Sequence, residues 1–227
     1  MAITLKKDED KIKTIIDYYY LTYKLKSVVR SGWNAWGVKR DRVESIAEHI
    51  YGTCMLAIAI WSETLPDVNL SEVLMMLALH ETEEIIIGDI TPFDDESKLK
   101  IKKDGQKAVQ AVFKDLIAKD VYFKLVQDFD ARATKEAVFA HKCDKLESDI
   151  MARIYSDEGV LKFEDGKKMT CKKSIQDLKQ KAKSDDVANL FCVWDRKHFE
   201  DCDDIFLKIN KYLEKNHIIK PKKVTKK

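Results

Sequence analysis

The chain has 227 residues, enough for one ample core, and its 45% apolar content can fill one. Seven glycines and three prolines fall far below the roughly 12% of average usage, which argues against a many-turned β-sandwich or barrel and for a few long helices. With 41 basic against 39 acidic residues the net charge is only +2, so no global field draws the chain to nucleic acid or a membrane surface, and neither is expected as a partner.

From Asp8 to Val29, Ile12, Ile15, Ile16, Tyr19, Tyr20, Tyr23 and Leu25 recur mostly at three-and-four spacing, which predicts an amphipathic helix. Ser31 to Asp41 breaks the pattern as a loop holding Trp33 and Trp36, with Arg30, Lys39, Arg40 and Arg42 around it. A second helix is expected from Glu44 through Trp61; its middle is apolar almost all round, which predicts a central position. Leu65-Pro66-Asp67 closes it. Ser71 with Glu72 opens a third buried helix through Ile87, and Gly88 ends it ahead of a turn at Asp89-Ile90-Thr91-Pro92. Helices follow over about Glu96 to Phe129, in one or two pieces, and from Ala133 to Tyr155. Past Asp157 a polar stretch reads as a loop or hairpin insertion. A last helix, Asp185 to Asn216, leads into a lysine-rich segment, 217–227, expected to be disordered. No repeat and no linker divides the chain, so residues 1–216 are expected to form one all-α helical bundle.

The glycines stand at 32, 37, 52, 88, 105, 159 and 166, so no G-x-G exists and the dinucleotide fingerprint is excluded. Gly32 and Gly37 have P-loop spacing, but Val38 stands where the lysine must follow. The longest apolar run, Cys54 to Trp61, is eight residues against the roughly 20 that span a bilayer. The amino-terminal MAITLKKDEDKIK becomes charged before an apolar segment can form, so no secretory signal is expected. Five cysteines without C-x-x-C spacing read as reduced thiols of a cytoplasmic protein.

Chemistry concentrates where two buried-looking helices carry histidines in place of core residues. His49 follows Glu48 in the second helix, and His80 ends the apolar run LMMLAL in the third. Beyond His80 come Glu81, Glu83, Glu84 and Asp89, and a continuous helix would put His80 and Glu84 on one face with Glu81 about 100 degrees away. Burying that many acids without a cation is costly, which makes a bound metal the simplest compensator. Asp144, mid-helix in HKCDKLESDIM among Val138, Leu146 and Ile150, fits the same picture. Two histidines with carboxylates suit divalent Mn, Fe, Co, Ni or Zn. His141 reads as structural, and His198 and His217 as solvent-facing.

The order His49, then ALHETEEIIIGDITP, then Asp144 in KCDKLE resembles the HD-domain metal-dependent phosphohydrolases. Within them it is closest to the branch of bacterial 5'-deoxynucleotidase and its human HD-domain counterpart. Arg30-Ser31-Gly32-Trp33 and Arg42-Val43-Glu44-Ser45-Ile46-Ala47-Glu48-His49 match the segment leading to the first histidine, and Glu84 with Gly88-Asp89-Ile90-Thr91-Pro92 matches the element after the second. The likeness covers about residues 12–155; residues 157–216 are a helical extension without a counterpart. It implies an HD-type bundle in which His49, His80, Glu81 and Asp144 hold one divalent ion: Mn, Co, Zn, Fe, Ni or Mg. It further implies Glu84 and Asp89 as acid/base groups, Arg30 as a phosphate contact and Trp33 near the nucleoside. The implied activity is hydrolysis of nucleoside 5'-monophosphates, 5'-deoxynucleotides first, by a homodimer. One departure stands out: the family's aspartate after the second histidine is Glu81 here, whose extra methylene must be absorbed by a folded-back side chain or a shift of about an ångström. A drifted, non-catalytic module binding a nucleotide or partner, or a hydrolase of another phosphorylated nucleotide, are the alternatives that departure raises.

Overall fold

The computed structural model describes residues 7–90, 98–162, 172–199 and 205–219. Thr91 and Pro92 of the expected turn, part of the polar stretch after Asp157, and the segment beyond residue 219 lie outside these. Among the described residues the chain is helical: α1 Asp8–Tyr23, α2 Ser31–Ala35, α3 Ile46–Thr64, α4 Leu70–Leu79, α5 Glu84–Ile87, α6 Lys98–Phe113, α7 Lys119–Ala131, α8 Lys135–Asp157, α9 Lys172–Ala182, α10 Val187–Asp195 and α11 Ile205–Lys215. No described helix is long and apolar enough to cross a membrane.

The bundle is organised around α8, which packs against α3, α4, α7, α10 and α11. The apolar α3 was expected at the centre, and the structure corrects this. It buries one stripe, Ile46, His49, Thr53, Ala57 and Ile60, while Tyr51, Met55 and Ile58 on its other side stay exposed. The more polar α8 holds the centre because its polar side chains are paired across to other elements. Arg153 donates to the Leu213 carbonyl at 2.9 Å and to Asp186 and Asn189, and Asp149 accepts from Asn210 at 2.7 Å. A buried polar group is tolerated when it is so satisfied.

The main core joins Ala57 and Ile60 of α3, Val73, Met76 and Leu77 of α4, Phe129 of α7, Leu146 of α8 and Leu213 of α11. Leu146 is fully enclosed, so Leu146→Ala would cost about 2–5 kcal/mol. A second cluster packs Trp33 and Trp36 against Tyr155, Val187 and Leu190. Residues past 157 therefore complete the domain, and α9, lying mostly between the expected polar stretch and the expected last helix, packs against α10. The expected last helix is broken by a 3-10 turn at Arg196–His198. At the other end, His217 Nδ1 meets Asp157 at 2.7 Å, and the amides of Ile218 and Ile219 donate to the same carboxylate at 2.7 and 3.0 Å. The first residues of the expected tail are thus tied to α8.

Two local features place the site. The first expected helix ends at Tyr23, and after a 3-10 turn an isolated antiparallel bridge pairs Val29 with Ser45. This fixes Arg30, whose amide donates to the Glu44 carbonyl at 3.0 Å. The third expected helix stops at Leu79 instead of running to Ile87, and a turn over residues 80–83 separates α4 from α5. Thr82 Oγ1 donates to the Leu79 carbonyl there.

Candidate metal centre

His49 is placed by a capping box at the start of α3. Ser45 Oγ accepts from the Glu48 amide at 3.3 Å, and Glu48 Oε2 accepts from the Ser45 amide at 2.9 Å. The cap satisfies amides that the first helical turn leaves orphaned and starts α3 so that His49 faces α8. The break after Leu79 does the rest. On a continuous helix the adjacent His80 and Glu81 would diverge by about 100 degrees, whereas in the turn both reach the same point.

The ligand atoms of His49, His80, Glu81 and Asp144 all lie within 4.8 Å of one another. His49 Nε2 is 3.1 Å from Asp144 Oδ1, 3.4 Å from His80 Nε2 and 3.6 Å from Glu81 Oε1. His80 Nε2 is 3.4 Å from Glu81 Oε1 and 3.8 Å from Asp144 Oδ1. Donors held about 2.0–2.2 Å from one ion stand roughly 3.0–3.5 Å apart, so the cluster has nearly the span a divalent ion needs. The histidine rings agree. A carbonyl can only accept, so His80 Nδ1, 2.7 Å from the Leu77 carbonyl, carries a hydrogen and leaves the Nε2 lone pair facing the centre. The residues fit a metal by this donor chemistry.

Electrostatics concentrate negative charge here. Burial works against the Glu81 carboxylate, yet His80 and His49 bring it down to about 2. Asp144 is held well below its ordinary value, against burial, by Lys145 and the two histidines, with Lys145 Nζ 2.8 Å from its Oδ2. Burial would lower the Arg30 guanidinium, but Glu81, Glu147, Glu44 and Asp144 together raise it. Glu84 is pushed up to about 10 by burial, then by Glu81 and Asp89. Glu83 is pushed up to about 7 by burial and Asp130.

Around the four donors stand the other residues singled out in the sequence. Arg30 reaches Ser148 Oγ through Nη2 at 3.5 Å, while its Nη1 is enclosed with no partner among the described residues. Glu84 feels the Glu81 charge, and its Oε2 is enclosed with no partner among the described residues. Asp89 Oδ2 accepts from the Ser31 amide at 2.6 Å, and Ser31 Oγ donates to the Asp89 carbonyl at 3.1 Å. Gly88, at φ 76° and ψ 171°, makes that turn in a region open almost only to glycine.

Trp33, which the resemblance sets near the nucleoside, is enclosed by protein side chains in this structure. It is 2% exposed, stacked on Phe191 at 5.3 Å and edge-on to Tyr155 at 5.2 Å. Its indole N–H donates to Glu44 Oε2 at 2.7 Å. The bulk of the ring serves packing behind Arg30. His198, read as solvent-facing, is instead partly buried, its ring 5.2 Å from that of His141, and His141 Nε2 is 2.9 Å from Arg132.

Four neighbours escaped the sequence reading. Lys145 and Ser148 were passed over as ordinary helix residues. Glu44 and Glu147 form a second group with His49; burial and then Glu147 push Glu44 up to about 7. The available signal was spacing, since Glu147 and Ser148 lie one turn beyond Asp144 on the face that meets α3.

A family model described as HD domain matches residues 22–185. The 5'-deoxynucleotidase HDDC2 of Danio rerio is 30% identical over 146 residues, 63% of this chain and 70% of that protein. The human protein of the same name is 26% identical over 148 residues, 64% and 70% of the two chains. A Magnetospirillum magnetotacticum structure described as a "Predicted metal-dependent phosphohydrolase" superposes with TM-score 0.65 at 20% identity, covering 92% of this chain and 94% of its own. A Pyrococcus horikoshii protein does so with TM-score 0.58 at 22% identity, covering 86% and 98%.

Proposed function

Starting from the membership of this chain in the HD-domain family, and hence from a metal-dependent phosphohydrolase, we propose that it hydrolyses nucleoside 5'-monophosphates, 5'-deoxynucleotides foremost, to nucleoside and phosphate. The observation carrying this reading is the cluster of four metal donors, together with two enclosed polar atoms, Arg30 Nη1 and Glu84 Oε2, that have no partner among the described residues. His49, His80, Glu81 and Asp144 would hold the ion. A bound divalent ion polarises phosphoryl oxygens and acidifies water.

The chain's own groups supply the rest. Arg30 offers Nη1 to the phosphate, a charge-assisted contact that its geometry suits. Water adds to phosphorus as the bond from phosphorus to the sugar O5' breaks. One proton leaves the water and one reaches O5', and in this reading Glu84 and Asp89 are the carboxyls that exchange them. Separate pH profiles for Glu84→Gln and Asp89→Asn apportion the two roles. The non-catalytic reading is disfavoured by the relatives, all named as 5'-deoxynucleotidases. The deciding experiment loads the purified protein with Mn, Co, Zn, Fe, Ni or Mg and measures phosphate release from a panel of ribo- and deoxynucleotides. Folded protein that releases phosphate from none of them, under any ion, overturns the proposal.

A homodimer is part of this reading, and α1 supports it. Tyr18, Leu21 and Leu25 of the first helical segment pack inward. On the other side Ile12, Ile15, Ile16, Tyr19, Tyr20 and Tyr23 are 49–71% exposed, an apolar outer face that a lone surface helix does not carry. At about 100 Å² each they offer roughly 600 Å², near the ~800 Å² per partner of a standard interface. Asp8, Glu9 and Asp10 open α1, and Lys24 and Lys26 follow its end, so two copies packed antiparallel about a twofold axis match acid to base. Light scattering should give twice the chain mass, and Ile16→Glu with Tyr20→Glu should give one; a monomeric parent protein refutes the arrangement. Cys54, Cys143 and Cys192 are free thiols, which supports a cytoplasmic site of action.

A further inference from the structure

Two residues beside the metal cluster have no part in the chemistry above, and they explain each other. Glu147, on α8 one turn past Asp144, is 5% exposed, and its Oε2 lies 2.6 Å from His49 Nδ1. Gly52 stands in the middle of α3 one turn after His49. Glycine in a helix interior costs about 1 kcal/mol relative to alanine, so its presence calls for a cause. Backbone conformation is not the cause, because Gly52 is absent from the positive-φ glycines. Space is: a Cβ at Gly52 would stand 2.7 Å from Glu147 Oε1 and 3.2 Å from Glu147 Cδ and Cγ. The end of a free glutamate would swing aside, but this one is tethered to the imidazole.

His80 has its orientation set from its own helix, by the Leu77 carbonyl; His49 uses a carboxylate from another helix instead. We propose that Glu147 is the positioning residue of His49. By accepting from Nδ1–H it fixes ring orientation and tautomer so that Nε2 faces Asp144, Glu81 and His80, and Gly52 is glycine in order to admit that carboxylate. The inference rests on reading the four-residue cluster as a metal centre. A partner on the far nitrogen of a ligating histidine typically governs metal affinity 10- to 100-fold.

The test uses the full chain as wild type, Glu147→Ala, Glu147→Gln and Gly52→Ala. Three properties are read: Zn affinity by chelator competition, thermal unfolding of the metal-free protein, and the imidazole ¹⁵N shifts of His49. Wild type should show Nδ1–H on His49. Glu147→Ala should lose 10- to 100-fold in Zn affinity and that tautomer with it. Glu147→Gln, whose amide oxygen still accepts, should recover most of the affinity. Gly52→Ala should lose affinity in the same direction even where helix propensity leaves its metal-free melting unchanged. A merely structural pairing would lower the melting temperature and leave Zn affinity alone, and that result overturns the inference. So does Nε2–H on wild-type His49, or a Gly52→Ala protein that binds Zn as wild type does. Wild type that binds no divalent ion rejects the metal centre itself, whereas variants that bind as well as an active wild type reject only the positioning role.

Discussion

Replacing Arg30 by lysine isolates the phosphate contact. Arg30→Ala would be a poor probe, because Glu81, Glu147, Glu44 and Asp144 all act on this guanidinium and would lose their counter-charge together. Lysine keeps the charge but cannot present the fork of donors. In the structure Nη2 touches Ser148 Oγ at 3.5 Å, and the enclosed Nη1 has no partner among the described residues, so what the substitution removes is the donor proposed to meet the phosphate. One hydrogen bond to a charged group is worth about 1.5–3 kcal/mol, which at 1.36 kcal/mol per factor of ten is a loss of roughly 10- to 150-fold in kcat/KM. Steady-state phosphate release from a deoxynucleoside 5'-monophosphate, with Zn affinity and melting temperature measured on the same preparation, reads this directly. If kcat/KM stays within about twofold of wild type while the metal is bound normally, Arg30 does not hold the phosphate.

Three further outcomes follow from the same geometry. Chelating the metal should lower the melting temperature, since an ion present at 100 times its Kd contributes about 2.7 kcal/mol, or roughly 5–11 °C for a chain of this size; equal melting with and without Mn, Co and Zn would contradict a metal centre. Burial, then Asp195, raises the Asp149 carboxyl well above its ordinary value, so the unfolded chain ionises first, from about pH 4, and this group subtracts stability as pH climbs above that. Asp149→Asn should therefore gain on wild type between about pH 4 and 8 in urea unfolding, and a constant difference would refute it. Arg153→Met frees the Leu213 carbonyl and removes the partner of Asp186 Oδ2, while Asp186 Oδ1 keeps Ser156 and the Ala188 amide; at about 1.5–3 kcal/mol for a hydrogen bond to a charged group it should lower melting by roughly 3–12 °C, and an unchanged melting temperature would mean that these bonds do not hold α10 and α11 to α8.

The helices that the sequence made plain are those where one apolar period runs unbroken into a stop signal, as α3 does into Leu65 with φ 43°. The α4 run failed as a guide to length because LMMLAL continues into EIII with no glycine or proline between them; the break at residues 80–83 has no local breaker. Its role is visible only in three dimensions, where His80 and Glu81 must reach one point. Centrality was misread for a related reason. Periodicity scores α3 as the more hydrophobic helix, but burial of α8 depends on partners such as Leu213, Asp186 and Asn210 that lie far along the chain. The cost of burying histidines and acids pointed to a shared cation near His49, His80 and Asp144, but helical spacing paired His80 with Glu84, and only the family resemblance singled out Glu81, which the turn at residues 80–83 brings to the same point. The packing of Trp33 was not legible, since an aromatic in a basic loop gives no sign of partners as distant in sequence as Tyr155 and Phe191.

Glu81 is where the chain departs from its family, and the turn that carries it indicates what aspartate would do there. Its Oε1 stands 3.4 Å from His80 Nε2 and 3.6 Å from His49 Nε2, so the longer side chain already reaches both histidines. The same carboxylate is one of the charges that raise Glu84, so the metal donors and the carboxyl proposed for proton exchange are electrostatically linked. Glu81→Asp withdraws the oxygens by about 1.5 Å, one carbon–carbon bond, and the turn from Leu79 to Glu84 is fixed at both ends by hydrogen bonds from Thr82 to Leu79 and from the Gly88 amide to Glu84. The backbone therefore has little freedom to follow. Misplacement by an ångström can cost about 10²-fold in rate, so the aspartate variant should fall by one to two orders of magnitude in kcat, with a smaller loss of Zn affinity. Phosphate release and chelator competition on the two proteins decide the matter: a large gain of activity in Glu81→Asp would instead mark the glutamate as a lesion, with the centre built for the shorter side chain.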